Sequence, residues 1–384
     1  MTHKALSQSK VAIVGAGLMG RMLAVTLAQE GAQVELFDQS GPDGKKAAAR
    51  IAAAMLAPLA ESAITEDAVV RMGLHSLPRW KSILGKLQNP VFFQQDGTLI
   101  LWHRQDSHDA ERFTAHLIKN CARIPQLAFP QTLDRHALMQ LEPGVADRFN
   151  QGLYLPYEGQ LDNRQLLDAL MTELELLSVG CHWYSAVEPE SLRDKQLFDF
   201  VLDCRGIGAQ NAWNLPSQSL RGVRGEVLRL HAPEVKLRRP TRLIHPRYPI
   251  YIAPKENDIY VVGATEIESD DLSEMSVRSA MELLSAVYTV HSGFAEARIM
   301  EMSTQCRPTL QDNLPAIKIQ RNKDQSDLIL INGLYRHGFM ISPAILDSAL
   351  ELLENGQSNT ALELGLSVTS NSSNTTDLKA DLCA

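Results

Sequence analysis

The sequence predicts an α/β fold in which a parallel sheet is interrupted by two excursions into antiparallel strands. Three observations carry this expectation. A strand, a glycine loop, a helix and a second strand follow one another within residues 11–38. Apolar runs at 198–204 and 328–331 each lead into a glycine-containing turn, as buried parallel strands do. Between them, 221–230, 249–253, 259–262 and 297–303 read as strands separated by turns, the pattern of an antiparallel sheet.

The opening unit is the most informative. Val11–Val14 is a short apolar strand, and Gly15, Gly17 and Gly20 follow at G-x-G-x-x-G spacing. Gly15 allows a tight turn, Gly17 lets the backbone approach a pyrophosphate, and Gly20 lets helix and strand pack closely. Ala16, Leu18 and Met19 complete the loop and the first helical turn, whose free N–H groups and positive dipole end suit phosphates. The helix ends at Gly31, and Val34–Phe37 is the second strand. Asp38 closes that strand, where a carboxylate accepts hydrogen bonds from ribose hydroxyls. Together these features predict a Rossmann-type dinucleotide site.

Farther along, 41–46 is a turn, and 47–58 crowds small residues around Arg50 and Met55 before Pro58. It reads either as the start of an alanine-rich helix or as a backbone that comes close to something flat and large. Helical patterns run to about Leu87, and Val91–Phe93 and Thr98–Trp102 read as a hairpin about Asp96-Gly97. Helices follow at 108–118 and 133–141. A β segment surrounds 152–156, and Asp162 caps a helix through Val179 with five leucines on one face. Strands at 181–185 and 198–204 return the chain to the parallel sheet. Residues 277–291 are helical. A last helix is expected to begin at Ser342-Pro343 and to stop at Gly356. The residues after 357 are too polar to bury surface and read as a disordered tail, 358–384.

Composition narrows the partners. A net charge of −8 speaks against nucleic acid and anionic membrane. No apolar run approaches the roughly 20 residues of a membrane-spanning helix, and the polar N-terminus leaves no room for a signal peptide. Five scattered cysteines (Cys121, Cys181, Cys204, Cys306, Cys383) form no C-x-x-C pair and suggest no metal site. The expectation is a reduced, cytoplasmic protein.

Eight stretches, in one order along nearly the whole chain, resemble the D-amino-acid-oxidase-like flavoproteins, and among them the glycine oxidases of thiazole biosynthesis. They are V-A-I-V-G-A-G-L-M-G (11–20), A-A-A-M-L-A-P (52–58), D-C-R-G-I-G-A (203–209) and G-V-R-G-E-V-L (222–228). The others are Y-I-A-P (251–254) with V-V-G-A-T-E (261–266), R-P-T-L-Q-D-N-L-P (307–315) and G-L-Y-R-H-G-F-M-I-S-P-A (333–344). The resemblance implies FAD, bound non-covalently, rather than NAD. It implies an FAD-binding domain assembled from 1–88, 146–222 and 304–357. A substrate-binding domain on an antiparallel sheet would come from 89–145 and 223–303.

It further implies that Ala53, Ala54 and Met55 lie against the isoalloxazine, Ala54 placing a methyl where the family commonly has glycine. Val187 matches the adenine contact, and Gly206, Gly338 and Phe339 match backbone contacts to the cofactor. Arg307 matches the arginine that grips the substrate carboxylate in a bidentate fork, Tyr251 the hydroxyl beside it, and Arg336 a second cationic contact. His337 reads as a hydrogen-bonding support, and no protein base is required if the amine enters neutral. Cys306 lies in the region where related sarcosine oxidases attach flavin. The implied reaction takes a small amino acid or amine (glycine, sarcosine, small D-amino acids), molecular oxygen and water to the 2-oxo acid, ammonia and hydrogen peroxide. The enzyme implied is a homo-oligomer, a tetramer. The competing expectations are a D-amino-acid or sarcosine oxidase or dehydrogenase, a nicotinamide dehydrogenase on the same glycine loop, and a flavin-binding sensor without catalysis.

Overall fold

The computed structural model describes residues 6–214, 218–244 and 250–372. Among these residues the strands form three sheets. The seven-stranded sheet runs in the order Ser367–Ser372, Ala316–Asn322, Gln325–Asn332, Phe200–Asp203, Lys10–Val14, Gln33–Phe37, Gly180–His182. Lys10–Val14 is parallel to both its neighbours, with Val14 opposite Phe37 on one side and Asp203 on the other. Val11 to Val14 are all buried: Val11 and Ile13 pack against helices on one face, and Ala12 packs on the other against Ala209, Trp213, Leu220 and Leu310. The register aligns the carboxyl ends of three strands along one edge, where an open α/β sheet leaves its crevice.

The helix Leu18–Gln29 follows Gly17, and Gly31 turns out of it at φ 89°. Asp162 caps Asn163–Leu176 by accepting from the N–H groups of Arg164 and Gln165, as its position predicts. The last long helix departs from expectation. It spans Gly338–Asn355, so Ser342 and Pro343 lie inside it. Proline is tolerated there because the carbonyl it leaves without a helical partner, that of Phe339, accepts the buried Trp80 indole N–H at 2.9 Å. The far end does stop at Gly356, at φ 71°.

The nine-stranded sheet is mainly antiparallel. Its longest pairing joins Leu220–His231 to Arg298–Leu310, and Ile250–Pro254 with Ile259–Gly263 forms the expected hairpin. The hairpin expected at Asp96-Gly97 does not form. Phe93–Gln94 joins a three-stranded sheet with Gly159–Leu161 and Met55–Leu56, whereas Thr98–Leu101 lies between Thr241–Leu243 and Gln151–Leu155. Every residue of Thr98–Leu101 is buried, which requires partners on both edges; a terminal hairpin strand has only one. Gln151–Leu155, on the cofactor side of the boundary read from sequence, is therefore hydrogen-bonded into this sheet.

Two further expectations are corrected. The segment 47–58 is no alanine-rich helix. After a 3-10 turn at Ala48–Arg50 it extends, passes through φ 51° at Ala54 and pairs as Met55–Leu56. The tail is ordered as far as it is described: Asn359–Leu364 is helical, capped by Ser358, and Ser367–Ser372 runs parallel to Ala316–Asn322. A strand that adds to a sheet edge is held by its backbone, so polar composition did not prevent it. Residues 373–384 lie outside the described residues.

Two stability predictions follow from this packing. Trp80→Phe leaves the Phe339 carbonyl unpaired, and should cost about 1–3 kcal/mol in urea unfolding. Glu158, 1% exposed, accepts the Ala60 N–H at 2.7 Å, and burial raises its pKa from 4.5 to about 7 against the pull of Arg242. Its contribution to stability is thus full below pH 4.5 and is lost as pH rises through about 7. Glu158→Gln keeps the acceptor without the charge. Its unfolding midpoint relative to wild type should rise across that interval and stay flat outside it.

Candidate active site

One cleft of about 640 Å³ opens at the carboxyl edge of the parallel strands and extends beneath the nine-stranded sheet. The glycine loop forms one end. Gly15 sits at φ 103°, where a Cβ would lie 2.6 Å from the Cys204 carbonyl oxygen. A Cβ on Gly20 would overlap the Gly15 carbonyl, so Gly20 is buried under the loop and does not line the cleft. A Cβ on Gly17 meets nothing within 4 Å: it would project into open space. Ala16, Leu18 and Met19 line the cleft beside it. Asp38 fixes this loop, its two carboxylate oxygens accepting the Ala16 N–H at 2.6 Å and the Ser40 N–H at 2.7 Å, with lone pairs left over. Val187 and Gly206 line the same end.

Ala53, Ala54 and Met55 form the middle of the wall. The helix beginning at Gly338 brings Gly338 and Phe339 to the same cleft. Because that helix starts before Ser342, its first-turn N–H groups belong to these cleft residues, and its positive dipole end faces the same space.

Tyr251 and Arg307 line the cleft as well. They come from different strands of the nine-stranded sheet, and glycine makes room for each. Tyr251 stands opposite Gly263, and Arg307 leans across Gly225. The Arg307 guanidinium donates to the Thr265 carbonyl at 3.2 Å from each terminal nitrogen, and it forms no ion pair among the described residues. Burial pushes the Tyr251 hydroxyl pKa up, opposed by Arg307 and Arg336, so the phenol stays a donor.

Arg336 also lines the cleft, but its charge is engaged. Its Nε lies 3.2 Å from Glu61 and its Nη1 2.9 Å from Glu266. The arginine read as a second cationic contact thus lines the cleft as a member of an ion-pair cluster. Glu61 gathers three cationic or basic groups: Arg242 at 2.6 Å, Arg336, and His337 Nδ1 at 3.4 Å. Burial works against its carboxylate, yet Arg336 and Arg242 outweigh that and hold its pKa well below the usual range. Burial draws His337 down to about 4, so the imidazole is neutral at pH 7. The Tyr335 hydroxyl donates to Glu266 at 2.6 Å. Cys306 lines the cleft with its thiol toward the Ser269 carbonyl, and burial raises its pKa.

Sequence reasoning missed Glu61, Arg242 and Glu266. Each pairs with a residue 70 or more positions away in the chain, and no local spacing marks them.

Comparison with known proteins agrees with this layout. The chain is 36% identical over 354 residues to the putative thiamine biosynthesis oxidoreductase ThiO of Rhizobium etli, covering 91% of this chain and 98% of that protein. It is 25% identical to the bifunctional protein ThiO/ThiG of Trichormus variabilis, matching 87% of this chain but 51% of that longer one. In fold it superimposes on glycine oxidase from Bacillus cereus at a TM-score of 0.77, with 18% identity and coverage of 93% and 98%. It superimposes on iminodiacetate oxidase from Chelativorans at 0.75, with 19% identity and coverage of 94% and 100%. The family model of FAD dependent oxidoreductases (DAO) matches residues 10–345, and the chain is a member of that family of enzymes.

Proposed function

We propose that the protein oxidises small amino acids, glycine foremost, releasing the 2-oxo acid, ammonia and hydrogen peroxide at the expense of oxygen and water, and that it supplies the imine for thiazole formation in thiamine biosynthesis. The observation that carries this reading is a guanidinium, Arg307, that forms no ion pair among the described residues and lies in the same cleft as the phosphate-type glycine loop. The name of the Rhizobium relative supports the pathway.

The residues present fit FAD. The open side of Gly17, the first helical turn that borders the cleft at Leu18 and Met19, and the free lone pairs of Asp38 suit a pyrophosphate and a ribose. When bound, the flavin supplies the acceptor for the electron pair of the substrate Cα–H bond. The protein does the rest by placement. Arg307 grips the substrate carboxylate with its planar fork, and the Tyr251 hydroxyl donates beside it. Around them Arg242 and Arg336 are balanced by Glu61 and Glu266, with His337 neutral. Beside them Arg307 forms no ion pair among the described residues, which matches it to one carboxylate on a substrate whose amine enters neutral. On this reading the seven-stranded sheet and its helices form the cofactor-binding unit and the nine-stranded sheet the substrate-binding unit.

A peroxide-coupled screen of flavin-loaded protein with glycine, sarcosine and D-alanine tests the reading; absence of peroxide with all three would sink it. Arg307→Ala should raise KM for glycine about 10- to 100-fold through loss of charged hydrogen bonds while the flavin content stays at the wild-type level. An unchanged KM would remove Arg307 from the substrate site. Gly17→Val fills the open side of the loop, so gel-filtered protein should carry little flavin. Full loading would refute the phosphate assignment.

A further inference from the structure

Ala54 adopts φ 51°, a left-handed conformation that L-residues other than Asn and Asp rarely take. Two hydrogen bonds hold it. The Leu161 N–H donates to the Ala54 carbonyl at 3.1 Å, and Lys255 Nζ donates to the Ala53 carbonyl at 2.8 Å.

Lys255 is unusual in its own right. It is 7% exposed, and its ammonium gives one proton each to three neutral acceptors: Ala53 O, Leu161 O at 2.8 Å and Gln160 Oε1 at 2.9 Å. It makes no ion pair among the described residues, and burial lowers its pKa to about 7. Isolating an ammonium in this way is costly, and the catalytic groups described above do not use it. It stands directly after the strand Ile250–Pro254 that carries Tyr251, so it joins the substrate-facing sheet to the alanine segment.

The consequence lies in the 53–54 peptide. That bond is trans, so its N–H points opposite to its carbonyl. With the Ala53 carbonyl drawn to Lys255, which does not line the cleft, the Ala54 N–H points away from Lys255, and both alanines line the cleft. Ala54 is 4% exposed, and its N–H has no acceptor among the described residues. A buried donor without a partner marks a place where a ligand acceptor completes the site.

We propose that Lys255 is a positioning residue for the cofactor, holding the Ala53–Ala54 peptide in its left-handed turn so that the Ala54 N–H is presented to an acceptor on the flavin ring. The inference rests on the reading of the cleft as an FAD site.

The test is FAD titration of the apoprotein at pH 6, together with the flavin midpoint potential and KM for glycine of the holoenzyme. Lys255→Met should weaken FAD binding about tenfold, the equivalent of one lost hydrogen bond. It should also make the midpoint potential more negative, because a donor to the ring favours its reduced, electron-rich form. KM for glycine should stay within about twofold, since Arg307 and Tyr251 are untouched. Adding Ala54→Gly, which lets the chain adopt the turn without strain, should recover part of the FAD affinity. Lys255→Gln, which keeps donors without the charge, should fall between wild type and Lys255→Met, and carries the test alone if the methionine variant is insoluble. Wild-type FAD affinity and potential in Lys255→Met or Lys255→Gln would overturn the proposal while leaving the cleft assignment standing. Weakened binding that Ala54→Gly fails to restore would also overturn it, reducing Lys255 to a structural part. A wild-type chain that takes up no FAD would instead sink the underlying reading.

Discussion

The buried carboxylate of Glu61 is the tie on which the charged wall of the cleft depends. It sits at the end of the short helix Pro58–Glu61 that follows the alanine segment, and it reaches Arg242 on the nine-stranded sheet as well as Arg336 and His337 ahead of the last long helix. Parts of the chain that lie 181 and 275 residues from Glu61 in sequence are thus held around its one anion. A buried charge of this kind is stable only while its partners stay. The same tie sets the chemistry: by engaging Arg242 and Arg336, it leaves Arg307 as the guanidinium without a carboxylate partner among the described residues.

The two sheets contribute unlike things. The parallel sheet contributes backbone: the loop at Gly15–Gly20, the turn after Asp203 and the first turn of Gly338–Asn355 offer N–H groups and close approach, and side chains there are mostly small. The antiparallel sheet contributes side chains that project from strand faces, Tyr251 and Arg307 among them, with glycines opposite to give them room. A phosphate-bearing cofactor asks for the first kind of surface and an amino acid carboxylate for the second.

How much of this was legible in the sequence follows from the same division. The glycine loop, Asp38, Gly31 and the Asp162 cap are local: a few residues fix the conformation, and the structure places them as read. Arg307 and Tyr251 were reached through their motifs, and they do share the cleft. What was not legible is tertiary. Nothing near Asp96-Gly97 says that its two flanking strands enter different sheets; only the complete burial of Thr98–Leu101 demands it. Ser342-Pro343 has the chemistry of a helix start, but the Trp80 indole, more than 250 residues away, takes over the carbonyl that proline releases. Glu61 has its partners on distant parts of the chain, Arg242 and Arg336, and no local pattern marks it.

The strand Ser367–Ser372 has a consequence for handling the protein. It covers the outer row of backbone groups on Ala316–Asn322, whose Ile317 and Ile319 are buried beneath it in the sheet. An uncovered strand of that make-up is a template for pairing with another chain. The polar stretch therefore works as a selvedge: a chain cut back to Gly356 would bare a sticky border and invite self-association, although every group that lines the cleft would still be present.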